Sequence, residues 1–330
     1  MSALWDTSGS AVIKALADER RSAGSVSSGL ALTLVAVVDE KLVAEAEQAA
    51  TAAAAQHPCR LLLVVRRRPD APEPRLDAEV SVGGRLGPGE AVVMRMYGRL
   101  ALHAESVVLP LLAPDAPVVT WWFGEPPQLI AHDPLGVIAD RRITDAAASA
   151  DPIAALRGRA ADYAPGDTDL AWARTTLWRS LCASAYDSLA GDVHGVTVTG
   201  EATNPSRALL SGWLQQRLGV PVDQQDTPGP GVTGVELRVG DDTVTIARND
   251  GRTATLTRTG QPDRAMPLPR RDRGDLLAEE LRRLDADDTY AEALETWTGS
   301  SGLSARPARR IHIWQDPMET PDPDPALTTS

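Results

Sequence analysis

The segment VVTWWFGEPP, residues 118–127, carries the densest structural signal of the chain. Its β-branched start and aromatic middle are typical of a buried strand, and the Gly-Glu-Pro-Pro segment ends that strand. Because successive side chains of a strand point to opposite faces, Trp121 and Phe123 share one face and Trp122 takes the other. We therefore expect either helices on both faces of the sheet or one ring near the strand end, within reach of a partner.

Strand and helix signals alternate through the first half of the chain. Nearly unbroken apolar runs at 30–38 and 60–66 are typical of strands that are covered on both faces. Further strands are predicted at 76–82 and 91–100, and helices at 39–55 and 104–112. This alternation predicts an α/β fold, a Rossmann-like mixed sheet flanked by helices, in an N-terminal domain of residues 1–150.

The second half predicts a different architecture, a C-terminal α+β domain of residues 151–315. Its longest helix is predicted at 167–189, and another helix begins after Asn204-Pro205 and ends at Gly219. Short strands separated by hairpin signals follow between residues 236 and 258, with helices at 273–284 and 289–297. Residues 316–330 are acidic and rich in proline, and they predict a disordered tail.

Composition limits the classes of function. A chain of 330 residues exceeds the size of one growing core, and its net charge of −12 argues against nucleic acid as the main partner. No run of about 18 apolar residues and no basic-then-apolar leader is present, so we expect neither a membrane span nor secretion. Two distant cysteines fit a reducing compartment, and the sequence therefore predicts a cytoplasmic protein.

One formal cofactor motif is present, G-x-G-x-x-G at residues 229–234. A dinucleotide loop must follow a strand and open a helix, whereas an alternating strand follows here, so we interpret the motif as an ordinary loop. Phosphate-loop, zinc-protease and serine-nucleophile motifs are absent from the sequence, and its five histidines are scattered. The sequence predicts no catalytic residue, no metal site and no cofactor.

Tryptophans and arginines carry the strongest site signals. Arg174 falls in the apolar sector of the predicted helix 167–189, where a guanidinium needs a structural ion pair or a ligand. Trp172 projects to nearly the opposite side, either as interdomain packing or as an interface anchor. Arg141 and Arg142 form a solvated charge cluster with one ion pair, or they grip a phosphate or a partner's acidic patch.

A helix N-terminus gives a weaker signal. Asn204-Pro205 opens its helix soon after a predicted strand, and free N–H groups at such an end can hold a phosphate or a carboxylate. Asn204 and Ser206 are the candidate anion-binding residues. In the alternative interpretation, Asn204 simply caps its own helix, which stabilises it by about 1 kcal/mol.

Six segments occur in an order that points to a family. They are HPCR at 57–60, LPLLAPDAPVV at 109–119, WWFGEPP at 121–127, ADRRITD at 139–145, DLAWAR at 169–174 with WR at 178–179, and NPS at 204–206 leading to GWL at 212–214. As an ordered set they resemble OpcA, the family of glucose-6-phosphate dehydrogenase assembly proteins. The resemblance spans about residues 30 to 220.

The resemblance implies a non-enzymatic partner that promotes assembly of active glucose-6-phosphate dehydrogenase, at the entry of the oxidative pentose phosphate pathway. Thioredoxin-linked control is associated with cyanobacterial relatives, but this chain has no close cysteine pair. We expect the contact surface for the dehydrogenase to include the clustered residues Trp122, Arg141, Arg142, Trp172 and Arg174. The other core aromatics are assigned to packing: Trp121, Phe123, Trp178 and Trp213.

A second hypothesis belongs to another class of function. Ligands commonly bind in the crevice beyond the carboxyl ends of sheet strands, and Gly124-Glu125-Pro126 follows one such end. In this alternative the chain is an enzyme or sensor that binds a sugar phosphate or a nucleotide in its N-terminal domain.

Overall fold

The computed structural model describes residues 1–24, 30–83, 89–187, 189, 191–248 and 250–308. Two β-sheets organise this part of the chain, one in each half of the sequence. The predicted disordered tail, residues 316–330, lies outside the described residues.

The first sheet has eight strands and a parallel centre. They are β1 (Ser2–Leu4), β2 (Leu32–Val38), β3 (Cys59–Arg67), β4 (Arg75–Val82), β5 (Glu90–Tyr97), β6 (Val118–Phe123), β7 (Arg141–Thr144) and β8 (Asp167–Asp169). Their order is β1-β4-β5-β3-β2-β6-β7-β8. Only the pairs β1–β4 and β4–β5 are antiparallel among the described strands of this sheet. The predicted α/β class with a mixed, Rossmann-like sheet is confirmed.

Eleven α-helices are found in the described residues. They are α1 (Gly9–Ser22), α2 (Val43–Ala54), α3 (Arg99–Leu102), α4 (Glu105–Val108), α5 (Pro134–Val137), α6 (Pro152–Asp162), α7 (Leu170–Ala173), α8 (Thr176–Tyr186), α9 (Pro205–Leu218), α10 (Arg273–Leu281) and α11 (Asp288–Thr298). Short 3₁₀ turns lie at Glu40–Leu42, Leu109–Leu111 and Ala146–Ala148. The predicted helix 104–112 is therefore α4 followed by a 3₁₀ turn, because Pro110 removes a backbone donor.

The aromatic strand β6 lies between β2 and β7 and is buried along its whole length. Trp121 and Phe123 meet edge to face at 5.0 Å and pack in the cluster that contains α2 and α10. Trp122 points to the other face, where a Cβ on Gly136 of α5 would lie 3.4 Å from its ring. Both faces of the strand are thus covered from within the chain, and truncating any of these rings would open a cavity.

The second sheet has six strands and a mainly antiparallel order. They are β9 (Val193–Gly200), β10 (Val222–Asp226), β11 (Val232–Val239), β12 (Asp242–Arg248), β13 (Thr253–Arg258) and β14 (Gln261–Pro267), in the order β10-β9-β11-β12-β13-β14. Helices α8 and α9 bury Trp178 and Leu210 against one face of this sheet, and Trp213 packs there partly buried.

The prediction of one long helix at 167–189 is wrong. Its first residues form strand β8, because Asp167 accepts the Ala164 N–H at 2.8 Å and pairs with β7. The helical part is then broken between α7 and α8 at Thr175, whose hydroxyl donates to the Trp172 carbonyl at 2.7 Å. A serine or threonine hydroxyl that bonds back to the preceding turn competes with helix continuation.

The two sheets are joined by more than one crossing of the chain. The first sheet continues past the boundary predicted near residue 150, since β8 ends at Asp169. After the second sheet, α10 returns to pack against α2, and α11 packs against α9. The division into domains stays a prediction, while the C-terminal helices lie against elements of both halves.

Candidate functional site

Arg141 and Arg142 follow each other in β7, so their side chains leave opposite faces of the first sheet. Arg141 is 3% exposed and donates to Glu280 Oε2 at 2.5 Å and to the Asp285 carbonyl at 2.8 Å. Burial raises the pKa of Glu280, while the Arg141 charge opposes the rise. The ion pair therefore holds α10 against the sheet, and the bond to Asp285 holds the segment that follows α10.

Arg142 is saturated by internal acceptors. It pairs with Asp167 and donates to the carbonyls of Ala139 at 3.0 Å and Pro165 at 2.8 Å. At 2% exposure it is not part of a solvated cluster, and Arg141 shares this burial. The prediction of a solvated cluster with one ion pair is wrong, because both guanidinium groups are buried and each forms its own ion pair. The interpretation in which the pair grips a phosphate or a partner's acidic patch stays a prediction.

Arg174 forms the structural ion pair that one of the two interpretations required. Its two terminal nitrogens donate to the two oxygens of Asp145 at 2.6 and 2.7 Å, a bidentate arrangement that fixes the planar guanidinium. Its side chain is 28% exposed, and it lines a cavity between the two sheets.

Trp172 is 1% exposed and packs inside the chain. Its indole N–H donates to Asp287 at 2.8 Å, and its ring packs beside Tyr290 at a centroid separation of 5.9 Å. The guanidinium of Arg179 lies over the ring at 3.7 Å, close enough for a cation–π interaction. These three contacts all lie in the second half of the chain, so interdomain packing and contact with a partner both stay predictions for Trp172.

A charged cleft lies beside Arg141 and Trp172. It measures about 600 Å³ and is lined by Trp172, by four arginines and by five acidic residues: Arg141, Arg179, Arg282, Arg283, Glu279, Glu280, Asp285, Asp287 and Asp288. Arg282, Arg283 and Asp288 are exposed, while Arg141 and Trp172 form its floor. Charges of both signs project from the end of α10 and the start of α11, a composition typical of an interface rim.

The five residues assigned to partner binding are therefore not one exposed patch. Trp122, at 2% exposure, and Arg142 lie away from the cleft, Arg141 and Trp172 border it, and Arg174 lines the cavity between the sheets. Partner binding by these residues stays a prediction. Their burial confines direct contact to Arg174 and to the edges of Arg141 and Trp172.

A second cavity, of about 310 Å³, lies at the carboxyl ends of β6 and β7, where the alternative hypothesis expects a crevice. Glu125, Ser149, Arg159 and Asp169 are among its lining residues. Asp169 is fully buried and accepts from the Thr144 hydroxyl at 2.6 Å and from two backbone N–H groups. Burial, and then the nearby charge of Asp145, raise its pKa. These bonds give Asp169 a structural role in holding the strand ends.

The N-terminus of α9 lies at the cavity between the sheets, which we call the junction cavity. Asn204 caps the helix by accepting the Arg207 N–H at 3.0 Å, as one interpretation of this segment predicts. Ser206 is 4% exposed and, like Asn204, lines the junction cavity. Three further arginines line the cavity, Arg248, Arg270 and Arg271, and none of them carried a sequence signal.

The cofactor-like loop at 229–234 leads directly into strand β11. It therefore lacks the helix that a dinucleotide loop must open. No group of three or more His, Cys, Asp or Glu side chains within the described ranges could hold a metal ion. In the part of the chain that the structure describes, no helix combines the length and apolarity that crossing a bilayer requires.

Several solved structures share the general architecture at low similarity. KijD10, a 3-ketoreductase from Actinomadura kijaniata, is 10% identical over 82% of this chain and 95% of its own, with a TM-score of 0.46. The transcriptional regulator Gal80p from Kluyveromyces lactis is 10% identical over 85% of this chain and 93% of its own, also at 0.46. An oxidoreductase from Sinorhizobium meliloti is 10% identical over 86% and 99%, at 0.43. Similarity at this level carries no argument about function.

Family comparison is more specific. A search of curated protein sequences found no match. Residues 50–161 match the family model of the N-terminal domain of the glucose-6-phosphate dehydrogenase subunit, and residues 165–294 match the model of its C-terminal domain. The two matches are consecutive and together span most of the chain, so the chain belongs to the OpcA family of glucose-6-phosphate dehydrogenase assembly proteins.

Proposed function

We propose that this protein is a non-enzymatic assembly factor and allosteric activator that binds glucose-6-phosphate dehydrogenase and promotes its active oligomer. It would act in the cytoplasm, on the first step of the oxidative pentose phosphate pathway. The observation that carries the proposal is the pair of consecutive domain matches at 50–161 and 165–294, both named for a subunit of that dehydrogenase.

The mechanism is a population shift by differential affinity. A partner that binds the active oligomer more tightly than other states increases its population, without any chemistry of its own. A tenfold difference in affinity corresponds to about 1.4 kcal/mol. A few well-placed contacts are enough to supply this free energy.

The contact surface that we propose is the charged cleft. It gathers Arg141 and Trp172, which the sequence singled out, and it presents exposed charges of both signs around a floor that holds the buried ion pair of Arg141 and Glu280. The exposed charges, Arg282 and Arg283 among them, suit a partner whose own charges of both signs are placed in complement, because rim charges steer association and fix register.

The first test mixes purified dehydrogenase with this chain and measures complex formation, oligomeric state and dehydrogenase activity. The expected result is a stable complex, a larger fraction of oligomer and higher activity. Unchanged oligomeric state and activity at saturating concentrations would overturn the proposed function.

A second test addresses the cleft separately. The double variant Arg282→Glu and Arg283→Glu reverses two exposed charges and is expected to weaken the complex about tenfold or more without lowering the melting temperature. Arg264→Glu, at an exposed position of β14, is the matched control and should bind like wild type. Wild-type affinity of the double variant would remove the cleft from the interface while leaving the assembly function standing.

The alternative function, an enzyme or sensor for a sugar phosphate or nucleotide, has one observation in its favour. A cavity of about 310 Å³ does lie at the carboxyl ends of β6 and β7, beside Glu125 and Arg159. Turnover of glucose 6-phosphate, 6-phosphogluconate or NADP by the isolated chain would favour this alternative. Activation of the dehydrogenase with no turnover by the isolated chain would favour the assembly factor.

A further inference from the structure

The junction cavity carries more positive charge than its surroundings neutralise. It measures about 290 Å³ and is bordered by the first turn of α9, the start of β11, the end of β12 and the segment before α10. Four arginines line it, namely Arg174, Arg248, Arg270 and Arg271, against one carboxylate, Glu201. An excess of cations around an enclosed space favours a bound anion.

Two of these arginines already have acidic partners, and two do not. Arg174 pairs with Asp145 and Arg271 with Glu279, whereas neither Arg248 nor Arg270 forms a salt bridge with any described residue.

Among the described residues, Arg248 and Arg270 donate to backbone carbonyls alone, those of Val232 at 2.8 Å and Pro230 at 2.7 Å, and the Arg248 guanidinium lies over the Trp178 ring at 5.0 Å. The Nε of Arg248 is buried and has no hydrogen-bond partner in the described part of the chain. Burial, and secondarily repulsion by Arg270, lower the pKa of Arg248 to about 10. A half-buried guanidinium beside a second cation, with one buried donor left over, needs an acceptor that the described residues do not supply.

An independent observation comes from α9, a helix of 14 residues whose N-terminus opens onto the same cavity. The first turn of a helix leaves N–H groups without intrahelical acceptors. In α9, Pro205 has no N–H and the cap of Asn204 satisfies that of Arg207, so the Ser206 N–H is the one this turn leaves over. Ser206 is 4% exposed and lines the cavity, and among the described residues its hydroxyl has no hydrogen-bond partner.

The loop at Gly231 brings these groups together. A Cβ built on this glycine would lie 3.3 Å from Arg270 Nη1 and 3.6 Å from the Asn204 amide nitrogen. Gly231 has a φ of +66°, a conformation that L side chains rarely adopt. The guanidinium of Arg270 and the start of α9 therefore converge at one point of the cavity wall.

We propose that the junction cavity binds a small phosphomonoester, whose phosphate is held by Arg248, Arg270, the Ser206 hydroxyl and the first turn of α9. Guanidinium groups and helix N-termini are the groups that proteins use for phosphate. The volume lies at the lower end of ligand pockets, which run from roughly 300 to 1,000 Å³, so it fits a sugar-sized molecule and is too small for a dinucleotide. The site belongs to this chain alone, so it does not depend on the proposed function.

Titration calorimetry of the full chain at low ionic strength tests the site. Inorganic phosphate and glucose 6-phosphate are the probes, with unphosphorylated glucose as the uncharged control. The expected result is that both anions bind, glucose 6-phosphate more tightly, while glucose does not bind. No binding of either anion at millimolar concentration, or equal affinity for both, would overturn the proposal.

Variants locate the binding. Arg248→Gln and Arg270→Gln together remove two charge-assisted contacts and are expected to weaken glucose 6-phosphate binding by about tenfold or more for each contact. Ser206→Ala should weaken it several-fold, and the control Arg264→Gln on β14 should leave it unchanged. Because Arg270 is exposed, Arg270→Gln alone preserves the fold and still reports on the site. Unchanged affinity in both the double and the single variant would overturn the proposal.

Glu201 gives a test of opposite sign. It lines the cavity and accepts the Gly231 N–H at 3.2 Å, so its carboxylate opposes a bound anion. Glu201→Gln keeps an acceptor for that N–H and removes the charge, and it is expected to tighten phosphate binding several-fold. A purely structural role of this region would give no such gain. Weaker or unchanged binding in this variant would contradict the proposed position of the phosphate.

Discussion

Replacing Arg142 by methionine is expected to destabilise the protein by about 3–5 kcal/mol. Arg142 is 2% exposed, pairs with the buried carboxylate of Asp167 and donates to the carbonyls of Ala139 and Pro165. Methionine fills much of the same volume, but it leaves Asp167 as an uncompensated charge, and breaking a buried ion pair by removing one partner typically costs this amount. The free-energy cost of leaving the two carbonyls without a donor is included in this range.

The free energy of unfolding is measured by urea denaturation followed by tryptophan fluorescence. Arg238→Met on β11 is the matched control, since that side chain is 44% exposed and should change stability by less than about 0.5 kcal/mol. Adding Asp167→Asn to Arg142→Met removes the isolated charge but keeps an acceptor for the Ala164 N–H. This double variant should therefore recover about 1 kcal/mol or more.

The deficit of Arg142→Met also depends on pH with a definite sign. Burial, opposed by the Arg142 charge, raises the pKa of Asp167 in the wild-type protein. A carboxyl whose folded pKa lies above its unfolded value of about 3.9 stabilises the fold at lower pH and loses this contribution as pH rises through the folded pKa. Without Arg142 the folded pKa of Asp167 rises further, so the deficit should be smaller near pH 5 than near pH 8.

A loss below about 1 kcal/mol at neutral pH would refute this account of Arg142. If Arg142→Met kept its stability and yet failed to bind the dehydrogenase, Arg142 would be a contact residue rather than an internal anchor. The two measurements together therefore separate partner binding from folding, which binding to an arginine-to-alanine variant alone does not achieve.

Three further outcomes follow from the packing. Gly212→Ala would put a Cβ 2.2 Å from a backbone carbonyl of α11, and it should lower the free energy of unfolding by about 1–3 kcal/mol or more. Gly158→Ala meets no atom within 4 Å and should stabilise α6 by about 0.5–1 kcal/mol. The midpoints of urea denaturation check both variants. Burial raises the pKa of the Cys59 and Cys182 thiols to about 12, so iodoacetamide should label them at pH 8 only in the unfolded chain, and rapid native labelling would contradict this. Trp172→Phe should cost about 1–2 kcal/mol in thermal unfolding, because it removes one buried indole N–H donor; wild-type stability would show that this bond contributes nothing.

The sequence predicted the strands that carry an apolar run or an alternating apolar pattern, such as β4. The runs that became β2 and β3, and the aromatic strand β6, need only local composition to be recognised. Strands β7 and β8 were missed, because RRIT at 141–144 and DTD at 167–169 are polar segments without an apolar run. They are buried only because their charges pair across the sheet and with α10.

The candidate site was predicted only in part, because local sequence identifies unusual residues but not their distant partners. Clustering identified Arg141, Trp172 and Arg174 as unusual, and the structure gives each a specific partner. The exposure of Trp172 and Arg174 was not predictable from the sequence. The prediction placed both on one unbroken helix at 167–189, whereas the chain turns at Thr175. The partners also lie far away in sequence: Glu280 is 139 residues from Arg141, a separation that no local pattern encodes.

Helix α10 connects the two proposed sites. It contributes Leu276 to the junction cavity and Glu279 and Glu280 to the charged cleft. The ion pair between Arg271, which lines the cavity, and Glu279, which lines the cleft, joins them directly. An anion in the cavity would attract Arg271 and compete with Glu279 for its charge, so the two sites are not electrostatically independent.

Substitutions in α10, or of this ion pair, would therefore disturb both sites and identify neither. Arg248 and Arg270 line only the cavity, and Arg282 and Arg283 line only the cleft, among the cavities found in the described residues. Because these four side chains lie outside α10 and outside the buried ion pairs, their loss leaves the attachment of α10 to the sheet intact. They are the positions at which anion binding and partner binding can be separated.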